Sequence, residues 1–238
     1  VFEKFSSREN DIVTGIIQRM ENKNVYIDLG KAEAILTPNE QIPGEIYQYH
    51  DRMKTYIVEV KKTSKGPQIM VSRTHPGLLK RLFELEVPEI HDGLVEIKSV
   101  AREPGMRSKI SVYTKDENID PVGACVGHKG MRVQTIVNEL RGEKIDIVKY
   151  SSEPDQYVAN ALSPAKVVST EVLEEEKICR VIVPDYQLSL AIGKEGQNAR
   201  LAAKLTGWKI DIKSESQAAE EAEQGAQEVG VAYEADED

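Results

Sequence analysis

The sequence predicts an α+β multidomain protein in which a small all-β barrel is followed by two copies of one α/β unit. Three observations support this: β-branched runs separated by turn residues come first, leucines at helical spacing follow, and the second half of the chain repeats a pattern. A chain of 238 residues is long enough for several small domains. We place the barrel at residues 1–74, the two units at 75–150 and 151–214, and an acidic flexible tail at 215–238.

The barrel prediction depends on five short runs of strand-forming residues. Residues 12–17 are mostly β-branched, and residues 25–30 alternate between apolar and polar side chains. Turn-forming residues separate the runs, for example Asn22-Lys23-Asn24 and Lys65-Gly66-Pro67. Five strands in so short a segment are typical of a small closed barrel.

The two α/β units share an order of elements: helix, two strands, helix, glycine loop, helix and strand. The strand sequence Lys-Ile-Asp-Ile occurs identically at residues 144–147 and 209–212, 65 residues apart. The loops Gly127-His128-Lys129-Gly130 and Gly193-Lys194-Glu195-Gly196 are 66 residues apart. A lone Gly-x-x-Gly is near chance at ordinary glycine frequency. The repeated context therefore carries the functional prediction.

The chemistry of both loops suits an RNA backbone. Glycine lacks a Cβ, so the chain can turn tightly and approach phosphates closely. Each loop leads into a helix N-terminus, which favours anions, and Lys129 and Lys194 add positive charge, although Glu195 opposes it. A Gly-x-x-Gly loop between two helices, holding about four nucleotides, is typical of the KH domain. We therefore predict single-stranded RNA as the ligand.

Residues just after the loops complete the predicted site. Arg132 and Arg200 follow within about one helical turn and are predicted to reach phosphates or bases. Gln197 and Asn198 have the donors and acceptors to read base edges. The predicted RNA-binding residues are Gly127, His128, Lys129, Gly130, Arg132, Gly193, Lys194, Glu195, Gly196, Gln197, Asn198 and Arg200.

The net charge of −9 is explained by its distribution along the chain. Residues 215–238 contain nine acidic residues and no Lys or Arg, which leaves 31 acidic and 31 basic residues before them. A neutral body can still present a basic face. We predict a solvated, flexible tail, with competition between the tail and RNA for a basic surface as the alternative.

Several classes of function are disfavoured. Cys125 and Cys179 form no C-x-x-C motif and the four histidines are scattered, so we predict no metal, no cofactor and a reduced, cytoplasmic protein. No phosphate-binding Gly-x-x-x-x-Gly-Lys-Ser/Thr motif or nucleophile–base pair is found, so we predict no catalytic residue. No apolar run approaches the roughly 20 residues of a membrane span. The chain begins at Val1, so we expect a piece of a longer protein or a processed one.

Two blocks of sequence resemble the NusA family of bacterial transcription elongation factors. They are Asn-Ala-Leu-Ser-Pro-Ala-Lys-Val at residues 160–167 and Ser-Leu-Ala-Ile-Gly-Lys-Glu-Gly-Gln-Asn-Ala-Arg-Leu-Ala at residues 189–202. The resemblance implies an S1 barrel of the OB-fold type followed by two tandem type II KH domains. It also implies binding of nascent RNA behind RNA polymerase, with effects on pausing, termination and antitermination, and RNA polymerase and other Nus factors as partners.

The sequence also departs from the family pattern. The family's N-terminal polymerase-binding domain has no counterpart here, and Val126 precedes the first loop where KH loops often have Ile. We predict a monomer in which the short linker at residues 151–155 lets both loops engage one strand. The alternatives are an S1/KH subunit of a ribosome-associated or RNA-decay assembly, and an adaptor that contacts protein only. RNA contacts by the barrel stay open, the candidates being Tyr26, Tyr47, Tyr49, His50, Arg52, Tyr56 and Arg73.

Overall fold

The computed structural model describes the backbone of residues 2–234 and the side chains of residues 2–225. The chain divides into two compact units, with the division between Ile147 and Val148. The first unit holds the barrel and the first α/β repeat, and the second holds the other repeat and a C-terminal helix. In the described part of the chain, no helix has the length and apolar character needed to cross a membrane.

The first unit opens with a short helix and a closed five-stranded barrel, as predicted. These elements are α1 (Phe2–Ser6), β1 (Ile12–Glu21), β2 (Asn24–Asp28), β3 (Glu33–Leu36), β4 (Arg52–Thr63) and β5 (Gly66–Ser72). The strand order around the barrel is β1-β2-β3-β5-β4. The β3–β5 pairing is parallel, and β1–β2, β1–β4, β2–β3 and β4–β5 are antiparallel. The alternation in β2 places Val25 and Ile27 in the barrel core with no exposed surface. The alternate residues Asn24, Tyr26 and Asp28 lie on the other face.

The first α/β repeat follows in the predicted order. Its elements are α2 (Pro76–Glu86), α3 (Pro88–His91), β6 (Glu96–Glu103), β7 (Arg107–Tyr113), α4 (Pro121–Val126), α5 (Met131–Glu139) and β8 (Lys144–Lys149). The three strands form a sheet of order β6-β7-β8. Pro88 ends α2 and also begins α3, because proline fits the first turn of a helix, where an N–H has no helical partner. The sequence alone had not suggested α3.

The second repeat has the same organisation. Its elements are α6 (Pro154–Ala161), β9 (Ser169–Leu173), β10 (Ile178–Val183), α7 (Leu188–Ile192), α8 (Gln197–Thr206) and β11 (Lys209–Ser214). The sheet order is β11-β10-β9, with β10 parallel to β11 and antiparallel to β9. Parallel neighbours need a crossover connection, which α7 and α8 supply. The glycine loop therefore lies within that crossover.

The C-terminal segment differs from the prediction of a flexible tail. Residues Glu215–Glu234 form helix α9, and the last four residues lie outside the described part of the chain. Ser214 and Gln217 form a reciprocal capping pair: the Gln217 N–H donates to Ser214 Oγ at 3.2 Å, and the Ser214 N–H donates to Gln217 Oε1 at 3.0 Å. The Ser216 N–H also donates to Asp185, at 3.1 Å. Alanine and glutamate, both strong helix formers, then extend the helix.

The barrel and the first repeat are joined by a buried arginine. Arg73 has no exposed surface, and its guanidinium forms two hydrogen bonds with the Glu45 carboxylate, at 2.7 and 3.0 Å. It also donates to the Glu139 carbonyl at 3.0 Å and to the Lys54 carbonyl at 2.9 Å. Glu139 is the last residue of α5, the helix that begins at the first glycine loop. The barrel is thereby tied to the far end of that helix.

Candidate nucleic-acid interface

The two glycine loops have the same backbone conformation. In the first loop, φ is 78° at Gly127, 53° at Lys129 and 73° at Gly130. The same three positions of the second loop have φ of 80°, 56° and 75°. In each loop the N–H of the second glycine donates to the carbonyl of the first at 3.1 Å. The internal repeat therefore reproduces the loop itself as well as the order of elements.

The first glycine of each loop meets two separate requirements. A Cβ on Gly127 would lie 2.6 Å from Arg132 Cγ, and a Cβ on Gly193 would lie 2.7 Å from the Asn198 backbone nitrogen. The ψ angles of 172° and 169° also place both residues in a region that only glycine occupies readily. Close packing and backbone conformation thus both exclude a side chain there.

The side chains between the glycines face solvent. His128 and Lys129 are exposed in the first loop, and Lys194 and Glu195 are exposed in the second. The loops lead into α5, of nine residues, and α8, of ten residues, whose first N–H groups are oriented for an anion. Gln197, directly after the second loop, is half-buried, and its Nε2 has no hydrogen-bond partner among the described residues.

Arg132, a predicted RNA contact, is engaged within the protein. Its Nη1 donates to Glu89 Oε2 at 2.8 Å and to the Ala124 carbonyl at 2.7 Å. Glu89 lies in α3 and Ala124 in α4, so the arginine connects both helices to the start of α5. Arg200, by contrast, is exposed, and its Nη1 donates to the Glu195 carbonyl in the second loop at 3.0 Å.

Asn198 is also committed to internal hydrogen bonds. It is 2% exposed, and its Nδ2 donates to the Leu162 and Ala191 carbonyls, each at 3.0 Å. The Oδ1 atom has no hydrogen-bond partner among the described residues. The prediction that Asn198 reads a base edge disagrees with this burial, because the amide group is turned into the domain.

The barrel candidates separate into packed and exposed residues. Arg73 and Tyr56 are buried at the junction with the first repeat, where the Tyr56 ring stacks on His75 with centroids 4.4 Å apart. The Tyr47 hydroxyl accepts a hydrogen bond from the Ile42 N–H at 3.0 Å, and burial raises its pKa. Tyr49 is 67% exposed. Two of the candidate RNA contacts, Arg73 and Tyr56, are therefore buried junction residues.

Burial makes the two cysteine thiols poor nucleophiles, and the possible metal ligands among the described residues are not grouped. Cys125 and Cys179 are both buried, and burial raises the pKa of the Cys125 thiol to about 12. A thiol with so high a pKa is a poor nucleophile at neutral pH. Among the residues that the structure describes, no three His, Cys, Asp or Glu side chains are grouped to hold a metal ion.

Three domain families match the chain in succession. Residues 6–72 match the S1 RNA binding domain, residues 73–150 the NusA-like first KH domain, and residues 154–220 the NusA-like second KH domain. The last match extends beyond β11 into α9. The predicted order of S1, KH and KH is confirmed. The fold and its two loops thus define a multidomain RNA-binding protein of the S1–KH–KH class.

Similarity extends over nearly the whole chain. It is 70% identical over 220 residues to "Transcription termination/antitermination protein NusA" of Halalkalibacterium halodurans, covering 92% of this chain and 58% of that protein. The chain is also 70% identical over 220 residues to the Bacillus subtilis protein of the same name, covering 92% of this chain and 59% of that protein. Its identity to the Mycobacterium tuberculosis protein of the same name is 51% over 224 residues, covering 90% of this chain and 65% of that protein. The chain belongs to the NusA family and spans about three-fifths of the length of these relatives.

Proposed function

We propose that this chain binds single-stranded RNA through its two glycine loops. The observation that carries the proposal is the reproduction of one loop conformation, to within a few degrees of φ, in two domains of the NusA-like KH type. Each loop presents backbone N–H groups and a lysine toward solvent at the start of a helix. These features suit a phosphate backbone.

The two loops offer different contacts. In the first loop, His128 and Lys129 supply ring nitrogens and an ammonium group. In the second loop, Lys194 supplies the charge, and the unpartnered Gln197 amide adds a donor for a base or ribose. A KH groove holds about four nucleotides, so a strand that engages both loops needs roughly eight or more. The short linker at residues 151–155 favours such joint binding.

We further propose that the RNA is a nascent transcript and that the chain works with RNA polymerase. The support is the shared name of the relatives, "Transcription termination/antitermination protein NusA", together with 70% identity over 92% of this chain. Under this proposal the bound strand leaves the polymerase, other Nus factors join the complex, and the chain acts as a monomer. The chain covers 58% of the Halalkalibacterium halodurans protein, so polymerase binding measured on this chain itself is the test of this proposal.

The test changes the charge of each loop. His128-Lys129→Asp-Asp and Lys194-Glu195→Asp-Asp keep the left-handed third position accessible, because aspartate tolerates that conformation. Each variant should weaken binding to a purine-containing 20-nucleotide single strand by about tenfold, and the combination should nearly abolish it. Fluorescence anisotropy at several salt concentrations measures the dissociation constant.

A matched control removes the effect of net charge alone. Lys177→Asp changes the charge as much as Lys194-Glu195→Asp-Asp does, at an exposed left-handed turn position of the same domain. Its RNA affinity should stay close to that of the unchanged chain. Unchanged binding in the combined loop variant would rule out the two-loop proposal and would favour an adaptor that contacts protein only.

A further inference from the structure

We propose that Arg132 and Asn198 are positioning residues that hold the two glycine loops in their RNA-binding shape, and that Arg132 acts through Glu89 rather than through a contact with RNA. This inference deepens the proposed function and rests on it. It assigns a role to two residues that the sequence suggests as direct RNA contacts. The supporting observations concern position, connectivity and chemistry.

The two residues occupy the same position in the repeat. Arg132 lies five residues after Gly127, and Asn198 lies five residues after Gly193. Each packs where the Cβ of that glycine would be: the nearest atoms are Arg132 Cγ at 2.6 Å and the Asn198 backbone nitrogen and Cβ at 2.7 and 2.8 Å. The first glycine of each loop is therefore in direct contact with the residue that we assign to positioning.

Each residue connects the same three segments of its domain. Arg132 lies in α5 and donates to the Ala124 carbonyl of α4 and to Glu89 of α3. Asn198 lies in α8 and donates to the carbonyls of Ala191 in α7 and of Leu162, which directly follows α6. In both domains the helix after the loop is thereby fastened to the helix before it and to an N-terminal helix of the repeat.

Such a connection matters because the loop conformation is unfavourable by itself. Lys129 and Glu195 have φ of 53° and 56°, a left-handed conformation that side chains other than glycine seldom adopt. Strain of this kind persists only where surrounding contacts impose it. A loop ordered before binding loses less conformational entropy when RNA arrives, and it therefore binds more tightly.

The two connections differ in chemistry, and the difference provides a test. The Arg132–Glu89 pair is ionic and about 30% exposed on each side, whereas Asn198 is neutral and 2% exposed. If Arg132 contacted phosphate directly, neutralising Glu89 would release its guanidinium and remove a repulsive charge, so RNA would bind more tightly. If Arg132 positions the loop, the same change weakens the connection and RNA binds less tightly.

The experiment compares Glu89→Gln and Arg132→Met with the unchanged chain. We expect each to weaken binding of the same 20-nucleotide single strand by about three- to tenfold, because the loop loses its preorganisation. The slope of log Kd against log salt should not change in Arg132→Met, whereas loss of one phosphate contact would reduce it by about 0.7. Glu117→Gln, which removes one exposed carboxylate from the same domain, is the control and should not weaken binding.

The outcomes separate this inference from the proposed function. Equal or tighter binding in Glu89→Gln, or a reduced salt slope in Arg132→Met, overturns the positioning role while leaving the two-loop proposal intact. Retained binding in the combined loop-charge variant overturns the proposed function itself. Hydrogen exchange of the loop amides in Glu89→Gln gives a readout without RNA: positioning requires faster exchange at residues 127–130 with the rest of the domain unchanged.

Discussion

At the scale of single residues, His75 is a pH-sensitive contact at the junction of barrel and first KH domain. Its Nδ1 accepts a hydrogen bond from the Gly77 N–H at 2.9 Å and so caps α2. Burial lowers its pKa, Arg102 contributes in the same direction, and Glu40 opposes the shift. The neutral ring is therefore favoured in the folded state, because a protonated Nδ1 cannot accept the hydrogen bond.

The sign of the pH dependence follows from that shift. A folded-state pKa below the unfolded value of about 6.5 means that the unfolded chain binds more protons, so stability is complete above pH 6.5 and declines as the pH falls toward the folded-state pKa. His75→Asn keeps a capping acceptor that does not titrate. We expect urea denaturation between pH 7 and 5 to show a larger loss of stability in the unchanged chain than in this variant. Parallel pH profiles would contradict the assignment.

Residues whose burial depends on distant neighbours were beyond sequence reasoning. The position of Asn198 just after a glycine loop suggests a base contact, but its hydrogen-bond partner Leu162 is 36 residues earlier. Arg73 was a candidate RNA contact, but Glu139, 66 residues later, helps to bury it. The exposure of the loop lysines is easier to predict from sequence, because a residue between two glycines at a tight turn projects from the surface through its local conformation.

At the scale of elements, the two glycines of one loop should differ in their tolerance of substitution. Gly130 has left-handed angles and no atom within 4 Å of its Cβ site, so asparagine, which accepts this conformation, should fit. Gly127 combines a glycine-only ψ with a 2.6 Å overlap. We expect Gly127→Asn to destabilise the domain by at least about 2 kcal/mol and Gly130→Asn by less than about 1 kcal/mol.

Chemical denaturation and RNA affinity test this difference together. Gly130→Asn should keep nearly the full affinity, whereas Gly127→Asn should lose most of it. The pair Gly193→Asn and Gly196→Asn repeats the comparison in the second domain, where the Gly196 Cβ site has one neighbour, Arg200 Nη1 at 3.9 Å. Equal effects at both positions of a loop would show that packing against Arg132 or Asn198 is unimportant.

Helix α9 shows how composition can mislead at this scale. The nine acidic residues favour a flexible tail, but a local signal for a helix start begins just before them. That signal is Ser214-x-x-Gln217, a serine followed three residues later by glutamine, before a segment rich in alanine and glutamate. The strands were predicted well because alternation and β-branching report directly on a half-buried sheet surface.

At the scale of the molecule, Arg73 couples the S1 barrel to the first KH domain. Removing the guanidinium in Arg73→Met would leave the Glu45 carboxylate, whose side chain is 2% exposed, with only the longer Arg141 contact at 4.0 Å among the described ion pairs. We expect a loss of about 3–5 kcal/mol in the free energy of unfolding, measured by denaturant titration. The double variant Arg73→Met/Glu45→Met removes both charges and should recover much of this loss. A double variant no more stable than the single one would refute the buried-pair explanation.

The order of domains could be predicted from sequence, but their coupling could not. Repeats, turns and strand patterns are local properties, and they indicated a barrel and two α/β units. The core of the first KH domain also contains Ile12 and Tyr56 from the barrel, which is why Val1–Ile147 is one compact unit. Contacts of that kind join residues far apart in the chain, so they cannot be predicted from local sequence periodicity.

Arg132 and Asn198 occupy the same position, five residues after the first glycine of each loop, but they differ in chemistry. This difference bears on how two copies of a duplicated domain diverge. If the two KH domains arose by duplication, both copies kept the conformation of the glycine turn. The side chain that supports the turn diverged, and it is now a partly exposed ion pair in one copy and a buried amide in the other. The two halves can therefore be tuned separately: screening ions act on the Arg132–Glu89 side, while Asn198 responds to changes in packing.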